Sequence, residues 1–177
     1  MWVDDVLKFW FEETKPENWF TKSDAFDDEV RRRFEPLHES FLEGRVTVPR
    51  TARAYLAEII VLDQFSRNLH RGLPSAFAAD SKALARAKEG IELGFDREVT
   101  DRERAFFYMP LMHSESLADQ EKCVLLFARL GNKESMKYAV EHRDIIERFG
   151  RFPHRNSILE RDSTPAEIEF MKTHAGF

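Results

Sequence analysis

Residues 55–72, YLAEIIVLDQFSRNLHRG, constrain this chain more than any other stretch. Ile59, Ile60, Val61 and Leu62 make the first half apolar all the way round. A helix of that kind lies inside a protein. At 100° per residue the second half gathers Asp63, Gln64, Arg67, Asn68 and Arg71 into one broad arc, opposite Val61, Leu62, Phe65 and Leu69. Unpaired buried charge is very costly, so this face must pair its charges or open onto a polar cleft.

The rest of the chain reads as helices closed by recognisable signals. A short helix over residues 4–13 carries Val3, Val6, Leu7 and Trp10 at helical spacing. Lys15-Pro16-Glu17-Asn18 breaks it, and Trp19 and Phe20 are expected to plug the end of the core. Phe26, Val30, Phe34, Leu37 and Phe41 form an amphipathic stripe over 24–42, with Pro36 expected to kink or split the helix. Arg31-Arg32-Arg33 lies among Asp27, Asp28, Glu29 and Glu35, which reads as a solvated face of i,i+4 pairs. Further helices are expected over 51–71, 75–93, about 101–115, 116–130 and 134–149, and from Pro165 onward. Thr100 with Glu103, and Thr164 with Glu167, are capping boxes, while Gly44, Gly94, Gly131 and Gly150 sit where left-handed caps belong. Pro110 interrupts an otherwise buried helix and frees the carbonyl of Phe106, and His113, Ser114 and Glu115 follow directly after the helix.

The expectation is an all-α chain of about eight helices in antiparallel pairs without a sheet, a single domain over 1–177. Only 7 Gly and 7 Pro argue against a turn-rich β architecture. The net charge of -5 argues against nucleic acid as a partner. No apolar run reaches membrane-spanning length, and MWVDDVLKFWFEE lacks the basic segment and apolar run of a signal peptide. Cys123 is the only cysteine, which rules out an internal disulfide and a cysteine-based metal site. The chain therefore reads as cytoplasmic, with no membrane partner.

Three stretches, LDQFSRNLHRG (62–72), FFYMPLMHSESLADQE (106–121) and HRDIIERFGRFPHRN (142–156), together with VLKFWF (6–11) and WF (19–20), resemble a family of uncharacterised, mostly bacterial proteins, a domain of unknown function. The resemblance spans nearly the whole chain. It implies an all-α fold similar to the helix-pair superhelices of tetratricopeptide (TPR-like) proteins, and no established activity. The matching residues include Asp63, Gln64, Arg67, Asn68 and Arg71, then His113, Ser114, Glu115, Asp119 and Gln120. They continue with His142, Asp144, Arg151, Pro153, His154, Arg155 and Asn156. Ser66 and His70 depart from the family pattern, where Pro and an aromatic residue are usual, and put the local backbone in question.

Three constellations carry candidate chemistry. On the Arg67 face, Asp63 and Arg67 are four apart and can pair, and two guanidinium forks suit an anion. The same residues also make a buried structural network, and both readings stand. In the second, His113 offers a general base and Glu115 an acid or orienter. The favoured reading there is structural, with Ser114 or Ser116 capping the next helix and His113 bonding the carbonyl freed at Pro110. In the third, His142, Asp144, Arg151, His154, Arg155 and Asn156 surround a basic loop suited to an anion or to capping helix ends. A metal would need His113, Glu115, His142, Asp144 and Asp63 to converge, and no tight ligand spacing supports one, so neither metal nor cofactor is expected.

The functional expectation is a binding or scaffold module holding a small anionic ligand or acidic peptide in a polar helical cleft. Gln64, Arg67, Asn68, Arg71, Ser114, Arg151, His154, Arg155 and Asn156 are the expected ligand contacts. The alternative is a hydrolase using His113, Glu115 and Asp63 in the same cleft. The sequence leaves the oligomeric state open.

Overall fold

The computed structural model describes residues 1–177, which form helices, turns and loops and no strand. The α-helical elements are α1 (Trp2–Lys8), α2 (Asp24–Leu42), α3 (Ala52–Ile59), α4 (Ser66–Leu69), α5 (Asp80–Glu92), α6 (Asp101–Met112), α7 (Leu117–Leu130), α8 (Lys133–Phe149) and α9 (Pro165–Met171). A π-helical turn, Ile60–Phe65, joins α3 to α4, so the nine elements make eight continuous helices. A second π-helical turn, Phe9–Glu13, extends α1. None of the helices is long and apolar enough to cross a membrane.

The chain divides into two compact units, one of residues 1–71 and 75–110, the other of residues 72–74 and 111–177. In the first unit α1 and α5 pack on α3, and α2 packs on α4 and on the π turn between α3 and α4. Its core is aromatic: the Phe34 ring stacks on Phe65 at 4.8 Å, and Trp10 meets Phe65 and Phe106 edge-on at 5.6 and 5.8 Å. Gly90 admits the ring of Phe107, because a Cβ at Gly90 would lie 2.8 Å from that ring. In the second unit α7 and α8 pack side by side across Gly131 and Asn132. Phe149 and Phe170 close over a small core of Ile145, Ile146 and Phe152.

The helix ends follow local chemistry. Ser23, Thr51, Asn132 and Thr164 accept backbone N–H groups at their helix starts, and Thr164 with Glu167 closes a full capping box. Thr100 and Glu103 bond reciprocally ahead of α6.

Of the two outcomes expected at Pro36, splitting does not occur: α2 runs unbroken to Leu42, its buried Phe34, His38 and Phe41 anchoring both sides of the proline. Three local expectations need correction. Phe20 does not plug the core but stays 68% exposed. Trp19 does join the aromatic cluster, donating its indole N–H to the Trp10 carbonyl at 2.8 Å. The Arg31-Arg32-Arg33 face pairs chiefly at i,i+3, through Arg31–Asp28 and Arg32–Glu29, while Arg33 reaches Glu13. Finally, Ser116 at the α7 N-cap makes no side-chain cap bond. Ser114 serves there instead, accepting the Ser116 N–H and donating to Asp119 at 2.8 Å.

Candidate functional site

The Arg67 face belongs to the first unit, and the π turn shapes it. An i→i+5 turn holds one more residue than an α turn, so a wheel drawn at 100° per residue misplaces what it carries. Asp63, Gln64 and Asn68 are buried, whereas Arg67 and Arg71 keep 23% and 36% of their side chains exposed. Arg67 Nη1 donates to the Asp63 carbonyl at 2.8 Å and lies 3.5 Å from the Asp63 carboxylate. Its two Nη groups also grip Asp80 at 2.9 and 3.2 Å. Arg71 forks onto Asp27 at 2.6 and 2.8 Å, and Asn68 adds a third donor at 2.8 Å. Burial would raise the Asp27 pKa, but the bonds from Arg71 and Asn68 outweigh it and hold the carboxyl below its usual range. Gln64 donates to Asp63 at 2.6 Å. Ser66 donates to the Leu62 carbonyl at 2.6 Å and meets His38 Nε2 at 2.7 Å. Its single hydroxyl proton is spent on Leu62, so His38 must be the donor in that contact.

The other two constellations come together in the second unit. Phe152 N–H donates to Glu115 at 2.8 Å, and Arg155 Nη2 donates to the His113 carbonyl at 3.1 Å. Arg161 forks onto Glu115 at 2.9 and 3.0 Å. Burial would push Glu115 up, yet the bonds from Arg161 and Phe152 hold it low. Arg151 forks onto Glu167 at 2.7 and 2.8 Å, and Asn156 reaches the same carboxylate at 3.3 Å. The bond from Arg151 first, and those from Thr164 after it, hold Glu167 down at about 2 against its burial. The carbonyls at the end of α6 are met by Gln120, whose amide donates to Leu111, Met112 and Ser114 at 3.3, 2.7 and 2.7 Å.

Around this frame four of the chain's six histidines gather with aromatic rings. His142 lies 6.5 Å from His113 and 5.5 Å from Phe152 between ring centroids, and Phe152 lies 5.6 Å from His154. The Arg155 guanidinium covers the Phe152 ring at 4.7 Å, and His174 and Phe177 complete the group. His142 is 6% exposed and bonds the Tyr138 carbonyl through Nδ1 at 2.7 Å. A carbonyl only accepts, so Nδ1 carries the proton and Nε2 of the neutral ring is a bare acceptor. Burial first, and then the charge of His113, push the His142 pKa down to about 3, against the bond to Tyr138. Burial and Arg155 take His154 to about 4.

No group of three or more His, Cys, Asp or Glu side chains is arranged to hold a metal ion. Asp27, Asp80, Arg161 and Glu167 carry these networks and were absent from the expected site. In sequence Asp27 and Asp80 look like ordinary first-turn acids, and Arg161 stands in a stretch without periodicity. The Thr164–Glu167 box was the only available signal, and it pointed to a helix start rather than to Arg151.

The chain belongs to DUF924, a family of bacterial proteins of unknown function, whose model matches residues 6–175. It is similar to the solved structure of a protein of unknown function from Agrobacterium tumefaciens, with 38% identity, 97% of each chain covered and a TM-score of 0.92. No curated protein matches it.

Proposed function

We propose that this protein is a cytoplasmic, TPR-like binding module that holds a small anionic ligand, or the acidic terminus of a peptide, at the imidazole cluster of its second unit. One observation supports the reading: groups able to carry positive charge gather in one cluster. His113, His142, His154 and Arg155 come together there, while Glu115 is gripped by Arg161 and Phe152 N–H. His142 and His154 stay neutral because burial and neighbouring positive charge both oppose a further cation. An anion bound there offsets the charge of protonated imidazoles and makes them donors. The Arg67 face is a weaker candidate, since its guanidinium groups already engage Asp63, Asp80 and Asp27. The hydrolase reading draws less support, because the Glu115 oxygens serve Arg161 and the Phe152 N–H.

The test follows the imidazole Hε1 signals of His142 and His154 by NMR as pH is varied, with and without phosphate or citrate. Anion binding to the protonated rings should raise both apparent pKa values by about one unit or more, each unit being worth 1.36 kcal/mol of preferential binding. Titration curves that superimpose with and without either anion would falsify the proposal.

A further inference from the structure

Between α2 and α3 the chain runs through Arg45-Val46-Thr47-Val48-Pro49 without turn, bend or helix. Three β-branched residues in a row suit extended backbone, and Pro49 pushes Val48 before it towards the same region. Burial alternates as on a strand: Val46 and Val48 are half-buried, while Arg45, Thr47 and Pro49 are exposed. Both ends are pinned. Gly44 turns at a φ of 70°, the Arg45 N–H donates to the Ser40 carbonyl at 2.9 Å, and Thr51 caps α3.

Between these anchors the N–H groups and carbonyls of Val46, Thr47 and Val48 form no bond within the chain. Pro49 ends the row, since it has no N–H and its carbonyl accepts the Thr51 N–H at 2.9 Å. Unpaired N–H and C=O groups along a preformed extended segment are a template for a second strand. Charge selects that strand. No acid stands between Gly44 and Ala57. Arg45 pairs with Glu43 and Arg53 with Asp4, whereas Arg50 is exposed and joins no salt bridge. Two copies paired antiparallel about Thr47 would bring Arg45 of each next to Arg50 of the other, and like charges across a ladder repel. A strand flanked by carboxylates would answer Arg50 instead.

We propose that residues 45–49 are a docking edge for an extended acidic peptide, which adds to the edge as a β-strand and sets a carboxylate against Arg50. The edge lies in the first unit and does not depend on the reading of the imidazole cluster. Main-chain bonds supply the affinity, and the flanking charge supplies the choice of partner.

The probe is the acetylated and amidated peptide Glu-Val-Thr-Val-Glu, titrated into the full chain while the amide signals of Val46, Thr47 and Val48 are followed by NMR. One control replaces both Glu by Lys. The other carries N-methyl groups on both Val and on Thr, which removes its ladder donors. The acidic peptide should shift all three amides and give cross-strand Hα–Hα contacts. The Lys peptide should bind about fivefold more weakly, and the methylated one not measurably. Arg50→Glu, checked for folding by circular dichroism, should reverse the preference between the Glu and Lys peptides. Equal binding of the methylated peptide would reduce the contact to bare charge and overturn the proposal. So would equal binding of the Glu and Lys peptides. Amide shifts that grow with protein concentration alone would assign the edge to a second copy and overturn it too. Amides that stay still while the His142 Hε1 signal responds would move the peptide to the imidazole cluster, which sinks the edge and leaves the anion site standing.

Discussion

The Arg67 face and the imidazole cluster use much the same polar vocabulary to opposite ends. On the Arg67 face every guanidinium meets a carboxylate of another turn or helix: Arg67 with Asp63 and Asp80, Arg71 with Asp27. Glu58 and Arg86 repeat the pattern nearby at 2.5 Å. The second unit closes two such pairs, Glu115–Arg161 and Glu167–Arg151. It also gathers His113, His142, His154 and His174 around aromatic rings. Closed pairs tie helices together, whereas imidazoles gathered beside a guanidinium are groups that can turn towards an anion.

The largest expected effect breaks the closed side of this comparison. Arg67→Ala removes the cation from beside two carboxylates, one of them buried, and should cost roughly 3–5 kcal/mol in urea unfolding. Phosphate or citrate should not restore it. A near-neutral substitution, with anion binding lost, would move the ligand site to this face.

The next effect concerns the open side. The His142 pKa in the folded chain, about 3, lies below the ordinary 6.5. Between those values the unfolded chain binds the proton and the folded chain does not, so stability is fullest above about pH 6.5 and falls as pH drops towards 3. His142→Asn, which keeps a donor for the Tyr138 carbonyl, should remove part of that acid slope, on the order of a few kcal/mol at most. Unfolding midpoints measured from pH 3 to 7 would show it, and an unchanged slope would mean that His142 titrates normally. His38, also pushed down to about 4 by burial and by His70, supplies a second slope from the first unit that His142→Asn should leave intact.

A smaller effect distinguishes a closed pair in the second unit. Glu167 sits at about 2 instead of 4.5, so its contribution is present above about pH 4.5 and lost as pH falls towards 2. Arg151→Ala should flatten the stability profile in that window alone, below the range where the histidines act most. At the bottom of the scale, Arg32→Ala removes an exposed partner of Glu29 and should leave the urea midpoint unchanged.

Sequence patterns carried the helices well, because caps and apolar stripes are local. Thr51, Thr100, Asn132 and Thr164 sit where their side chains meet orphan N–H groups, and those bonds depend only on the next three residues. The candidate site was less legible, because its partners are distant. Asp27 meets Arg71 across 44 positions and Glu115 meets Arg161 across 46. Nothing near Asp27 distinguishes it from Asp28, yet one is buried in a fork and the other is solvated beside Arg31. His113 was expected to answer the Phe106 carbonyl freed by Pro110; the bonds that stand out are at the end of α6, where Gln120 meets the carbonyls of Leu111 and Met112. The π turns left no trace either. A helical wheel assumes one angle per residue, and Ile60–Phe65 departs from it where the polar face begins.

That departure makes the chain sensitive to its own length. Deleting a single residue within Ile60–Phe65 would let the backbone settle into a regular α-helix, with every peptide group still bonded. It would also turn Ser66–Leu69, and Arg71 beyond it, by about 100° about the helix axis. Arg71 and Asn68 would swing away from Asp27, and Arg67 from Asp80. The π turn thus works as a phase-setter: one surplus residue, harmless to the helix itself, times the arrival of three side chains at two carboxylates.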